Sequence, residues 1–449
     1  MPRRFTLCHT ADWHLGHALH GRSREAEHAA FFTWLIELLE RQRVDALVIA
    51  GDVFDSASPS GAAQAQLFEL LAALRARCPA IDVVIVAGNH DSPSRLAAPD
   101  PVLRSLRVRI VGAVPWVGRG RDQRIDPEPL VVPLHADGEV AAWALAVPYL
   151  RACDLPALDP DAGEEDPAAR IARGARRVYD EVAAHARTVR RDDQALIVTG
   201  HCHVAGAAVS DGSERPVIGG VAGALPRSVF PEDATYVALG HLHLAQEVRA
   251  QEVRAQEVRA QEVAGPDVRY SGSPIPLALG EESYPHEVRL VTFEGARIVA
   301  QAGHRVPRSV AILRVPKSGP APIDEALAAL RALEDDEVVR AARGAPENRW
   351  PWVEARVRLE RAEPALRARV DEALAGLPVR LVKLTVEQAR TGSSPGTEEG
   401  ASLRELAELD VREVFLRRWA LEQEGEPPAD VLAAFDEVRA AVVGTESGP

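Results

Sequence analysis

Residues 5–17, FTLCHTADWHLGH, carry an apolar strand pattern that runs into Asp12 and His14. The same ending recurs four times. Ala46–Ala50 leads into Gly51-Asp52, Val83–Ala87 into Gly88-Asn89-His90-Asp91, Ala195–Thr199 into Gly200-His201, and Tyr236–Leu239 into Gly240-His241-Leu242-His243. Amphipathic stretches at Ala29–Arg41, Ala63–Arg77 and 168–191 lie between these runs. That alternation predicts an α/β layer fold. Each polar cluster sits just past the carboxyl end of a strand, the edge at which α/β sheets bind ligands. In four of the five, Gly directly precedes the polar residue, which permits a sharp turn and a close backbone approach.

A single Gly-Asp after a strand usually closes a turn or caps a helix. Five endings that all supply Asp, Asn or His read differently, because burying so many polar groups together without partners is costly. Two divalent cations would satisfy Asp12, His14, Asp52, Asn89, His201, His241 and His243. Carboxylate, imidazole and amide oxygen suit Mn, Fe or Zn, and the lack of a Cys ligand argues against a structural zinc site. His9, His17, His20, His28, His135, His185, His286 and His304 lack this setting and read as structural or solvent-facing. His203 is left outside the set.

At 449 residues the chain calls for two or three domains. A net charge of −14 argues against a free-standing nucleic-acid binder, unless bound cations or a basic partner supply the grip. The only lysines, Lys317 and Lys383, sit in no Walker motif, so ATP would have to be hydrolysed by another subunit. No apolar run reaches 18 residues and the start shows no secretory pattern, so no membrane span is expected. Cys8, Cys78, Cys153 and Cys202 have no paired spacing and read as reduced thiols of a cytoplasmic protein.

The texture divides the chain into 1–300, a small α+β unit at 305–390, a linker at 391–401 (TGSSPGTEEGA) and two C-terminal helices at 402–445. Within the small unit, strands are expected at Ser309–Val315, Val353–Leu359 and Val379–Val386, with helices at Ile323–Leu333 and Pro364–Leu374. Residues 246–260 are three perfect copies of QEVRA, followed by a partial fourth to 264. A five-residue unit matches neither helix nor strand period, so the repeat reads as a tandem expansion in a surface loop. The seven arginines at 170, 173, 176, 177, 187, 190 and 191 read as a solvated helix face, although any arginine here can contact phosphate.

The motifs DWHLGH (12–17), GDVFD (51–55), GNHD (88–91), TGHCHVAG (199–206) and GHLH (240–243) resemble the calcineurin-like metallophosphoesterases. HTADWHLGH (9–17), ALGHLHLAQ (238–246) and VRYSGSPIPLALGE (268–281) narrow the resemblance to the SbcD-type nuclease subunits of bacterial SbcCD complexes, and DVREVFLRRW (410–419) continues it more weakly. The resemblance implies a four-layer α/β/β/α phosphoesterase fold with a small capping domain. It implies one metal on Asp12, His14, Asp52 and His243, and a second on Asp52, Asn89, His201 and His241. Asp52 would bridge them, a role that the two oxygens of a carboxylate suit. The implied cofactors are two divalent ions, normally manganese. His90 is the one strand-end histidine this leaves free of metal, and it is assigned to the leaving oxygen as general acid or transition-state stabiliser; the other reading is that it only orients Asn89 or Asp12. The implied activity is ATP-dependent 3′→5′ exonuclease action on duplex DNA and endonuclease action on single strands and hairpins. The capping domain would position DNA, the terminal helices would dock on an SbcC-type ATPase, and the nuclease would form a homodimer within a heterotetramer. A small-molecule or nucleotide phosphodiesterase on the same metals is the alternative. A scaffold that had lost catalysis is disfavoured, because all eight positions are present.

Overall fold

A computed structural model describes residues 3–118, 123–156, 167–209, 224–249, 265–361 and 363–388, with Val431 alone beyond them. Within the described residues, the predicted strands and helices fall where the periodicity placed them, with shifted ends. The strands are Arg4–Thr10, Ala46–Ala50, Asp82–Val86, Ala195–His201 and Tyr236–Gly240, and the helices Glu25–Gln42, Gly61–Arg77 and Pro167–Val189. The fourth strand therefore runs through Gly200 and His201 instead of stopping at Thr199.

These strands belong to two sheets. In the first, Arg4–Thr10, Ala46–Ala50, Asp82–Val86 and Val108–Val111 run parallel, and Glu287–Glu294 with Arg297–Arg305 extend the other side of Arg4–Thr10 antiparallel. In the second, Glu139–Leu145, Ala195–His201, Tyr236–Gly240 and Asp267–Tyr270 run parallel, edged by antiparallel Val131–Ala136 and Gln246–Glu247.

Side-chain alternation stacks the layers. Phe5, Leu7, Ala46, Val48, Val84 and Val86 point from the first sheet into the core it shares with the second, where Ala144, Val198, Val237 and Phe293 are all but fully buried. Cys8, Leu47, Ile49, Val83 and Ile85 point the other way, onto Phe31, Leu35, Leu67 and Leu71 of the two helices outside the first sheet. Val178, Tyr179 and Val182 of helix Pro167–Val189 close the far side of the second sheet. The order is helix, sheet, sheet, helix, the calcineurin-like arrangement.

A further sheet holds Ile312–Val315, Trp352–Leu359, Arg380–Gln388 and the short Ala321–Pro322. Its Val353, Ala355 and Val357 pack on Leu327 and Leu330 of helix Ile323–Arg331 and Val370 of helix Leu366–Ala373, a core of its own. The marks at 300 and 305 both fall within strand Arg297–Arg305 of the first sheet. By contact density residues 1–389 form one unit, and 390–449 a second. The linker at 391–401 and the helices at 402–445 lie outside the described residues, Val431 apart.

The repeat begins in a strand and not in the expected loop. Gln246–Glu247 is an edge strand paired with Asp267–Tyr270, and Val248 is buried at 1% exposure. Residues 250–264 lie outside the described residues. The arginines of helix Pro167–Val189 and the turn after it are largely ion-paired. Arg176 faces Asp180, Arg177 faces Glu181, Arg187 and Arg190 share Asp233, and Arg191 meets Asp193. All four cysteines are free, and no helix among the described residues is long and apolar enough to cross a membrane.

The strand ends are tight. Gly51 sits at φ +93°, and a Cβ there would run into the His201 ring and the Gly88 backbone. Gly138 also has a positive φ, +81°, in the Asp137-Gly138 hairpin, but a Cβ there meets open space. Gly51→Ala is therefore expected to destabilise the protein by about 3 kcal/mol or more, combining backbone strain and overpacking. Gly138→Ala should cost only about 1 kcal/mol. Urea unfolding of the two variants checks this, and equal losses would contradict the role assigned to packing.

Candidate metal centre

All eight singled-out residues converge on one cleft. Asp12 and His14 follow strand Arg4–Thr10, Asp52 follows Ala46–Ala50, and Asn89 and His90 follow Asp82–Val86. From the facing sheet come His201, the last residue of its strand, and His241 and His243, just beyond Tyr236–Gly240. The two sheets thus present their carboxyl edges to the same volume. A cleft of about 180 Å³ is lined by His14, Asp52, Asn89, His90, His241 and His243, together with His17, Ala18, Asp55 and Leu277.

The backbone is bent to reach it. Asp12, His14 and Asp52 lie at φ +54°, +48° and +47°, and His241 at +100°. Left-handed conformations are uncommon for residues with a Cβ and gather where function needs a particular direction. Hydrogen bonds hold these turns. His241 N–H donates to Asp12 Oδ1 at 2.9 Å, and His90 N–H donates to Asp52 Oδ1 at 2.8 Å. Asp91, 5% exposed, accepts from Gly88, Val53 and Phe54 and so ties the second and third strand-end loops together.

The donor atoms face one another closely. His201 Nε2 lies 3.2 Å from Asp52 Oδ2 and 3.0 Å from Asn89 Oδ1. His241 Nδ1 lies 3.1 Å from the same Asn89 oxygen, and His14 Nε2 lies 3.5 Å from Asp52 Oδ2. Three triads bring their ligand atoms within 4.8 Å of one another: Asp12, His14 and His243; His14, Asp52 and His90; Asp12, Asp52 and His201. His90 is therefore within reach of the same volume as the ligand candidates. Its Nδ1 is already committed, donating to the Asp55 carbonyl at 2.9 Å.

Further groups set the rings. His14 Nδ1 donates to Asp55 Oδ1 at 3.2 Å, His243 Nδ1 to Glu281 Oε1 at 2.9 Å, and His201 Nδ1 to the Ala50 carbonyl at 2.8 Å. Holding one ring nitrogen this way fixes the tautomer and turns the other toward an ion. Sequence reasoning missed Asp55 and Glu281 as functional residues, although both stand inside quoted motifs. It also set His17 aside as structural or solvent-facing, whereas His17 lines the cleft. Its Nδ1 is buried without a hydrogen-bond partner among the described residues. Other histidines in that group keep to structural contacts: His9 with Tyr236, His28 with the Trp13 carbonyl, and His135 with Asp82.

The buried carboxylates and imidazoles of the cluster act strongly on one another. Burial would push the Asp52 carboxyl up, but the imidazoles of His201, His14 and His90 outweigh it and hold it far below the usual range. Burial pushes Asp12 up, against the pull of His201 and His243. His201 is raised to about 9 despite burial, because Asp52 and Asp12 face it. His241 is driven down to about 3 by burial and by the nearby His201. His14 Nε2 is buried and has no hydrogen-bond partner among the described residues, so the cluster satisfies itself incompletely. Two carboxylates, four imidazoles and an amide oxygen fit divalent ions, and an ion would displace the His201 proton and complete the unmet bond.

Comparison with known proteins gives the family. The profile of the calcineurin-like phosphoesterases matches residues 5–245, and that of the type 5 capsule protein repressor C-terminal domain matches 308–423. The chain is 38% identical to the SbcD component of the SbcCD nuclease of Rhodobacter capsulatus over 393 residues, 87% of this chain and 90% of that one. It is 30% identical to the SbcD component of the SbcCD nuclease of Escherichia coli K12 over 422 residues, 93% of each chain. Against the Bacillus subtilis protein of the same name it is 34% identical over 288 residues, 64% of this chain and 65% of that one. With its phosphoesterase fold and a donor cluster at the carboxyl edges of both sheets, the chain belongs to the SbcD family of calcineurin-like phosphoesterases, the nuclease components of SbcCD.

Proposed function

We propose that the chain is the nuclease subunit of an SbcCD-type complex, working on DNA with manganese. One ion would sit on Asp12, His14, Asp52 and His243, and the other on Asp52, Asn89, His201 and His241. The observation that carries this reading is the convergence of those seven side chains, from five strand ends on two sheets, around buried Asp52. When bound, the ions supply Lewis acidity to the phosphodiester and an activated water.

The chain's own residues orient and protonate. Asp55 holds His14 through its carboxylate and His90 through its carbonyl, so one residue positions a ligand and the proposed acid together. With Nδ1–H kept by that carbonyl, Nε2 of His90 is the atom left to face the leaving oxygen, and it would give a proton there from the imidazolium form. His90→Ala is expected to retain both metals while turnover falls by roughly 10²–10⁴-fold. Metal stoichiometry and rate are measured on the same preparation, and full activity would refute the role.

The sheet and helices of the 305–390 unit are read as a capping domain that positions DNA, and 402–445 as helices docking on an SbcC-type ATPase in a helix-in-groove mode. The C-terminal profile match over 308–423 supports this reading and weighs against a small-molecule phosphodiesterase, which needs neither element. We read the assembly as a heterotetramer of two nuclease and two ATPase chains. Deleting 402–449 should abolish ATPase binding in a pull-down and spare Mn-dependent cleavage of simple substrates. The decisive assay is digestion of hairpin-ended duplex DNA with Mn²⁺, with and without the ATPase and ATP. Hairpin opening by the chain with Mn²⁺, and duplex degradation only with ATPase and ATP, are the expected results. No cleavage under any condition sinks the reading.

A further inference from the structure

Glu281 touches the metal cluster and the small sheet's neighbourhood at once. It is 1% exposed. Its Oε1 accepts from His243 Nδ1 at 2.9 Å, and its Oε2 accepts from Leu277 N–H at 2.8 Å. Its carbonyl lies 2.9 Å from His286 Nε2, and the other His286 nitrogen lies 3.0 Å from the Ser273 carbonyl. Ser273 N–H returns to the His243 carbonyl at 3.1 Å. Gly272, at φ +70°, lets this backbone lie against residues 243–245 so closely that a Cβ would strike the His243 carbonyl. Residues 272–286 are thus a closed loop pinned to His243 at both backbone and ring.

The same loop is pinned on its other side to the sheet of Ile312–Val315 and Trp352–Leu359. Leu279 packs with Leu19, Val310, Ile312 and Trp352 in one apolar cluster. The Pro276 carbonyl accepts from Arg24, which is 1% exposed, ion-paired to Glu27, and stacked over the Trp352 ring at 5.1 Å from its centroid. A buried guanidinium held by a carboxylate, a carbonyl and an indole face has little freedom to move independently of any of them.

We propose that the 272–286 loop is a strut through which the small sheet sets the orientation of His243, with Glu281 as its positioning residue. The proposal deepens the metal-site reading and rests on His243 being a ligand. The carboxylate is required at position 281 because both of its oxygens accept. An amide would turn its NH₂ either toward the Leu277 N–H, donor against donor, or toward His243 Nδ1. The second arrangement favours the tautomer with its proton on Nε2, the nitrogen that has to face the ion. A shift of the small sheet against Leu279 and Arg24 would reach the ion by the same route.

The test is Mn²⁺ affinity of the full chain, by calorimetry on metal-depleted protein, which needs no turnover. Glu281→Gln is expected to weaken binding by about 10- to 100-fold, with Glu281→Asp recovering part of the loss. Trp352→Ala, distant in sequence and outside the cleft, is expected to weaken it by about 2- to 30-fold. Trp352→Phe serves as the milder variant, and circular dichroism confirms that each is folded. Because Trp352 acts through Glu281, the double variant should bind no worse than Glu281→Gln alone. Unchanged affinity in both folded Trp352 variants, or losses that multiply in the double variant, would overturn the strut. His243→Ala separates the two readings. If it weakens Mn²⁺ binding while Glu281→Gln does not, only the strut fails; if it leaves binding intact, the ligand assignment fails with it.

Discussion

A carboxylate that is 2% exposed, with imidazoles on several sides, is the constraint around which this molecule is arranged. Asp52 can be buried as an anion only if positive charge or hydrogen-bond donors meet it there. His201 and His14 face its Oδ2 and the His90 amide donates to its Oδ1. Those partners arrive from different strands and from both sheets. Their meeting therefore requires the sheets to stack with their carboxyl edges level. The apolar core between the sheets holds this alignment. Phe5, Val48 and Val84 on one side and Val198 and Val237 on the other are nearly inaccessible to solvent.

The ring orientations depend on residues one step removed. Asp55, Glu281 and the Ala50 carbonyl each accept a hydrogen bond from one imidazole and so choose which nitrogen faces the cluster. Hydrogen bonds also explain why backbone strain is tolerated here: the Asp12 and His14 N–H groups donate to the Gly51 and Asp52 carbonyls, and buried carboxylates serve the segments of Asp52 and His241. The His241, His90 and Val53 N–H groups are paired with those carboxylates, and the favourable bonds offset the unfavourable dihedrals. The glycines at 51 and 88 belong to the same economy of space, since a Cβ at either would occupy the volume of His201 or Asp52.

Loop 272–286 extends this arrangement beyond the cleft. Its Glu281 belongs to the histidine network, while Leu279 and the Pro276 carbonyl belong to the contact with Trp352 and Arg24. The small sheet has a core of its own, and a separate apolar cluster of Leu19, Leu279, Val310, Ile312 and Trp352 joins its strands to this loop, a segment that also carries a polar function.

The sequence by itself determined the strand endings, because an apolar run followed by Gly and a polar residue is a local pattern, written within a dozen residues. It also determined the principal helices, whose periodicity is equally local, and through the motifs it pointed to the family. The tertiary structure decided which strands share a sheet. Periodicity of two says which face is apolar but not which partner covers it, so Ala195–His201 and Arg4–Thr10 look alike in sequence and lie in opposite layers. The antiparallel pairs Val131–Ala136 with Glu139–Leu145 and Glu287–Glu294 with Arg297–Arg305 became visible only there. The placement of Asp55 and Glu281 against the imidazoles, and of His17 in the cleft wall, was likewise decided in three dimensions. A hydrogen bond between residues 38 apart, such as Glu281 to His243, leaves no mark on the spacing of either, whereas packing two sheets face to face makes them neighbours.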